Sequence, residues 1–150
     1  MREILFRGQT RRLGEKVWMN GEKVPSNWVY GGVCHGKYAF SIIYGSMDEE
    51  RENPIEKHVV YTDTVGQYTG LTDKNGKKIF EGDIVVCSQE INGNFIDKHI
   101  EIGYVEMKHG AFGLHRKQGY YRPFKDWLED YEYEVIGNIH DNPELLKGGE

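Results

Sequence analysis

The sequence predicts a mainly β protein. A small SH3-like β-barrel is expected over residues 63–150, preceded by a hairpin-rich β region over residues 1–62, with one short helix. Three observations predict this. Nineteen Gly against four Pro imply many tight turns, which suit short strands better than long helices. Short runs rich in aromatic and β-branched residues recur along the whole chain. Two Asn-Gly pairs, Asn20-Gly21 and Asn75-Gly76, sit between such runs, and Asn-Gly tolerates the positive φ that two-residue hairpins need.

The elements follow in order. Glu3 to Arg7 reads as a first strand around Ile4, Leu5 and Phe6. Lys16 to Met19 and Glu22 to Val24 form a hairpin about Asn20-Gly21. Trp28-Val29-Tyr30 and Tyr38 to Tyr44 read as strands, with His35-Gly36-Lys37 at the turn between them. Ser46 to Lys57 crowds acids around Asn53-Pro54; so charged a run buries too little apolar surface to order itself, and it reads as a loop at the domain boundary. His58 to Tyr61 is a strand.

Thr64 to Val85 is the densest stretch. Gly66 and Gly70, Asn75-Gly76 and Gly82-Asp83 read as turn chemistry, and Ile79, Ile84 and Val85 as core. Glu90 to Lys98 reads as a polar loop. Ile100 to Met107 alternates as a strand, Gly110 turns the chain, and Ala111 to Leu114 begins the next strand. Pro123 to Asp130 is the predicted helix: Pro suits its first position, and Phe124, Trp127 and Leu128 share one face. Glu134 to Ile139 closes the fold.

Composition bounds the function. The net charge is −5, whereas a domain that grips phosphates is usually basic or carries a concentrated basic face. Cys34 and Cys87 are the only cysteines, and they read as buried free thiols of a cytoplasmic protein. No apolar run approaches the ~20 residues that span a bilayer, so no membrane association is expected.

Chemistry-bearing patterns are sparse. The six His and two Cys lack zinc-ligand spacing, so no metal and no cofactor are expected. No G-x-S-x-G occurs. Cys34 beside His35 invites a thiolate reading, but a buried structural Cys at a strand end next to a turn His is the favoured one. Asp83 after Gly82 reads as a turn cap rather than a lone acid. Gly66 to Gly70 lacks the following Lys-Ser/Thr of a phosphate loop. One segment combines bases and aromatics: His115, Arg116, Lys117, Tyr120, Tyr121 and Arg122, a composition that can stack bases and touch phosphate. Against the acidic balance, the reading favours a solvated hairpin with inward-packed tyrosines.

Several blocks resemble a known family. Arg2 to Gly8, Trp28 to Gly31, the Val65–Val85 run and Glu134-Val135-Ile136-Gly137-Asn138-Ile139-His140-Asp141-Asn142-Pro143-Glu144-Leu145-Leu146 are similar, in order, to the YopX family of small phage and prophage proteins. The resemblance implies a phage-encoded cytoplasmic accessory protein and carries no catalytic residue to transfer. The leading expectation is therefore a non-catalytic protein that binds a host or phage protein, or a second copy of itself. The alternative is a nucleic-acid module using the 115–122 hairpin.

Overall fold

A computed structural model describes residues 2–10, 17–19, 22–24, 28–35, 40–46, 56–91, 94–95, 101–117, 119–124 and 131–147. The protein is mainly β and antiparallel, in two compact units, Met1–Tyr68 and Thr69–Glu150.

In the first unit, β1 (Phe6–Gln9) pairs with β4 (Trp28–His35). The hairpin of β2 (Val17–Met19) and β3 (Glu22–Val24) precedes β4, with Met19 opposite Glu22 as a two-residue connection demands. Next come β5 (Phe40–Ser46) and β6 (Glu56–Tyr61), giving the order β6-β5-β4-β1. A bridge from Thr10 to Val60 brings the far strand back to the end of β1. Only glycine fits at position 8, where a Cβ would lie 2.9 Å from Val60 Cγ2. Val29, Ile43 and Val60, all fully buried, form the small core. Arg7 is buried with its guanidinium 4.6 Å over the Trp28 ring, a cation–π contact that places a charge at the core margin. The charged run expected as a loop lies mostly outside the described residues; Ser46 and residues 56–57 belong to strands.

A short 3-10 turn (Thr62–Thr64) leads into β7 (Gly66–Thr72), which starts beside β1 and carries the chain into the second unit. Gly66 and Gly70 therefore lie in a strand, not in turns; Gly70 alone needs glycine's freedom there, at φ 89. β8 (Lys78–Phe80) follows the Asn75-Gly76 turn. The buried Asp73 organises that turn: its Oδ1 accepts from Asn75 N and Lys77 N, both at 2.9 Å.

β9 (Asp83–Ile91) is longer than expected, because the Glu90–Lys98 region is not all loop. β9 pairs with β10 (Asn94–Phe95) in the register Ile91 opposite Asn94, a hairpin with two connecting residues. The intervening Asn92-Gly93 was the legible signal. β11 (Glu101–Lys108), β12 (Ala111–Arg116) and β13 (Tyr121–Pro123) continue as a meander, and β14 (Tyr131–Asn138) returns to the other side of β9. The pairing order is β14-β9-β11-β12-β13. No closed barrel is formed among the described residues. His109 and Gly110 connect β11 to β12 with φ 53 and 77, the double positive φ of a two-residue hairpin.

Most of the predicted helix at 123–130 lies outside the described residues: Pro123 ends strand β13, Phe124 is in a 3-10 turn, and residues 125–130 are not among those described. Among the described residues the α-helix is α1 (Glu144–Lys147). No helix among the described residues is long and apolar enough to cross a membrane.

The core of this unit is Ile79, Val85, Cys87, Val105, Leu114, Phe124 and Tyr133, with Phe124 and Tyr133 packed edge to face at 5.2 Å. Ile84 and Val86, on the opposite face of β9, are also buried. The C-terminal segment runs along this side near the start of β9: Ile139 N donates to Gly82 O at 2.8 Å, and Leu146 of α1 lines a recess with Tyr104, the partner of Ile84. A strand buried on both faces explains the unbroken Ile84-Val85-Val86-Cys87 run.

That segment is held by its own side chains. Asn138 Oδ1 accepts from His140 N (3.0 Å) and Asp141 N (2.9 Å), and Asn142 Oδ1 accepts from Asn138 N (3.2 Å). The polar residues of this stretch are thus turn-builders.

Candidate functional site

The six singled-out residues occupy the β12–β13 hairpin, and the hairpin's alternation divides them. Leu114 pairs with Arg122 and His115 with Tyr121, so Arg116 and Arg122 lie on the core side while His115 and Tyr121 face outward.

On the core side, Glu101 of β11 binds both arginines. Its Oε1 accepts from Arg116 Nη1 at 2.5 Å and its Oε2 from Arg122 Nη2. The Arg122 side chain is 10% exposed and lies 4.8 Å over the Tyr131 ring. The buried Cys87 thiol adjoins this cluster, 3.7 Å from Glu101 Oε2 and 3.9 Å from Arg122 Nη2. Burial pushes the thiol pKa up, against the opposing pull of the Arg122 charge. Burial likewise raises Tyr133. Arg122 is thus a structural cation tying β13 to β11.

On the outer side, His115 Nδ1 lies 3.0 Å from Glu106 Oε1, and the imidazole stacks on Tyr104 at 4.8 Å and 15°. Burial, and then the Glu106 charge, push the Tyr104 hydroxyl up, so it stays protonated. Tyr121 is anchored: its hydroxyl donates to Ala111 O at 2.5 Å and its ring lies under Lys108. Tyr120 at the hairpin tip is 66% exposed, with the Arg116 guanidinium 5.4 Å from its ring. A recess of about 200 Å³ opens beside the hairpin, lined by Tyr104, His115, Arg116, Lys117 and Leu146.

The structure therefore gathers His115, Arg116 and Lys117 at one recess, leaves Tyr120 exposed at the hairpin tip, and places Tyr121 and Arg122 in packing roles. Glu101, Glu106, Tyr104 and Leu146 were not singled out from the sequence. Glu101 was detectable: it shares strand parity with Gly103 and Val105, so a carboxylate falls on the face that builds the core.

The other candidates separate. Asp83 is buried and its Oδ2 accepts from Phe80 N at 2.8 Å, the turn-cap role. Cys34 is exposed, correcting the expectation of two buried thiols, and both cysteines are free. His35 Nδ1 lies 2.8 Å from Ser41 Oγ, itself 3.0 Å from Thr62 Oγ1; Ser41 is fully buried, so this chain joins strands rather than presenting a nucleophile. Among the described residues, no cluster of His, Cys, Asp and Glu could hold a metal. The cysteines give a direct check. A thiol reagent should label Cys34 in the folded protein at the rate of an exposed thiol and reach Cys87 only on opening. Equal rates, followed by mass spectrometry, would contradict the placement of Cys87.

Fold and site together define a two-unit antiparallel β protein with a small basic and aromatic recess on its second unit. The YopX protein family model matches residues 27–147. The chain belongs to the YopX family. Its structure is similar to the crystal structure of protein EF1440 from Enterococcus faecalis, with a TM-score of 0.48, 22% identity, and coverage of 97% of this chain and 99% of that one. No curated protein is significantly similar in sequence.

Proposed function

We propose that this is a phage-encoded, cytoplasmic accessory protein that acts without catalysis, by binding a protein partner. The recess beside the β12–β13 hairpin carries the reading. At about 200 Å³ it is smaller than the roughly 300–1,000 Å³ of sites for cofactors and drug-sized ligands, and it suits a single side chain. The 66% exposed Tyr120 at the tip of the same hairpin supplies the kind of aromatic anchor that interfaces favour.

Affinity capture from nuclease-treated extracts of phage-bearing cells tests the reading. The wild-type chain should retain a defined protein that a Tyr120→Ser variant loses. Exposure of Tyr120 means that the variant keeps its stability within about 0.5 kcal/mol. Equal capture by both chains, or capture that vanishes with nuclease, counts against the reading. Self-assembly is the sub-case in which the retained protein is the chain itself, read by sedimentation at micromolar concentration.

The order β9-β11-β12-β13 with β14 returning to β9 supports the reading of the second unit as SH3-like. Nucleic acid is the second reading, favoured by the Arg116–Tyr120 and Tyr104–His115 stacks. It is weakened because Arg116 and Arg122 both engage Glu101. Filter binding at low salt separates it, since phosphate contacts are strongest there.

A further inference from the structure

We propose that Asn75-Gly76 is a self-modification site, at which Asn75 deamidates through a cyclic imide, and that the buried Asp73 carboxylate gates the reaction by holding the turn shut. The substrate is the chain itself and the co-reactant is solvent water.

The pair meets the chemical requirements. Both residues are exposed, and a Cβ on Gly76 would meet nothing within 4 Å, so nothing crowds the nitrogen that must attack. Gly76 N closes on Asn75 Cγ. The bond from Cγ to the side-chain amide nitrogen breaks, and ammonia leaves with the proton that Gly76 N gives up. Water then opens the five-membered imide at either carbonyl, leaving an aspartyl or an isoaspartyl residue at position 75. Glycine after the asparagine favours the ring because no side chain obstructs the backbone rotation it needs.

The folded turn withholds the nucleophile. Gly76 N donates to Asp73 O at 3.0 Å and Asp73 N to Lys77 O at 2.8 Å. Asp73 Oδ1 accepts from Asn75 N and Lys77 N. The peptide planes on either side of Asn75 and of Gly76 are therefore pinned. A peptide plane moves as a unit, so Gly76 N reaches Cγ only when these bonds open. Local opening of an exposed turn costs less than global unfolding, and the reaction runs from that opened state.

The product does not fit the closed turn. A new carboxylate arises two residues from that of Asp73, and like charges so close repel. The isoaspartyl form also adds a methylene to the main chain, which puts Asp73 and Lys77 out of register. The turn's hold on β14 goes with it: Lys74 N to Tyr133 O at 2.9 Å, and Val135 N to Asp73 Oδ2 at 3.0 Å. A strand edge released in this way pairs readily with a second copy. Loss of ammonia to solvent makes the change one-way.

The test is site-resolved peptide mapping by mass spectrometry. The full chain is incubated in mildly alkaline buffer made with heavy-oxygen water, which marks each hydrolysed imide. Asn75 should label about tenfold more slowly, or slower still, in the folded chain than in urea. Asp73→Ala should move the folded rate toward the urea rate. Glu101→Ala, expected to cost a similar stability elsewhere, should leave the Asn75 rate near that of wild type. Chain aged in urea and refolded should show a lower urea midpoint and more association in sedimentation than Asn75→Gln treated in the same way, since glutamine does not form the five-membered imide. Equal labelling in folded and unfolded chains, no acceleration in Asp73→Ala, or equal acceleration in Glu101→Ala would each overturn the gate. Aged wild type that matches aged Asn75→Gln would overturn the release of β14.

Discussion

Asp73→Ala is expected to destabilise the protein by about 3 kcal/mol, the loss of several hydrogen bonds to one buried carboxylate. Asp73 Oδ1 accepts from Asn75 N and Lys77 N, and Oδ2 accepts from Val135 N at 3.0 Å. The same turn sends Lys74 N to Tyr133 O at 2.9 Å, and Lys74 pairs with Glu134. The Asn75-Gly76 turn therefore does more than reverse the chain. It occupies backbone positions on the outer edge of β14, where an unpaired strand would otherwise invite another chain. Alanine leaves buried N–H groups without their acceptor and also frees that edge. Asparagine keeps the Oδ1 role but turns an amide donor toward Val135 N, so Asp73→Asn should recover only part of the loss. Urea unfolding checks this through a lowered midpoint at unchanged slope, with sedimentation reporting any edge-to-edge association. A loss under about 1 kcal/mol would mean that the turn does not hold β14.

The second large effect is expected at Glu101. Glu101→Ala removes the shared acceptor of Arg116 and Arg122 and strands the Arg122 charge, whose side chain is 10% exposed. Breaking a buried pair from one side costs about 3–5 kcal/mol. The lower end applies here, because the Arg116 side chain is 25% exposed and remains solvated. The cost comes from the orphaned charge, so Glu101→Leu with Arg122→Met should be much less damaging than Glu101→Ala alone. A double-mutant cycle reads the difference. Additive losses would show that the two side chains do not act as a pair.

Most strands were legible because they carry their own signals. Asn20-Gly21 and Asn75-Gly76 marked hairpins, the apolar Ile84–Cys87 run marked a strand, and Gly82-Asp83 marked its entry. What the sequence hid depended on tertiary context. Pro123 looks like a helix start, yet it ends an edge strand, where its missing N–H costs no ladder bond. His109 takes a positive φ in a turn whose glycine alone was noticed. Gly66 and Gly70 looked like turn residues but lie within β7.

The candidate segment was half legible. Its bases and aromatics do meet at one place, but period-two alternation sends Arg122 to the core side and Tyr121 to a backbone anchor. The recess itself was invisible to local reading. Tyr104 and His115 meet as cross-strand partners of β11 and β12, but Leu146 joins them only through the C-terminal segment, much further along the chain.

The central claim, that the hairpin and its recess are the docking surface, is tested most directly by amide hydrogen exchange on the chain alone and with its captured partner. Added protection should concentrate in peptides covering 115–122 and 144–147. Protection elsewhere with none in those segments would contradict the account.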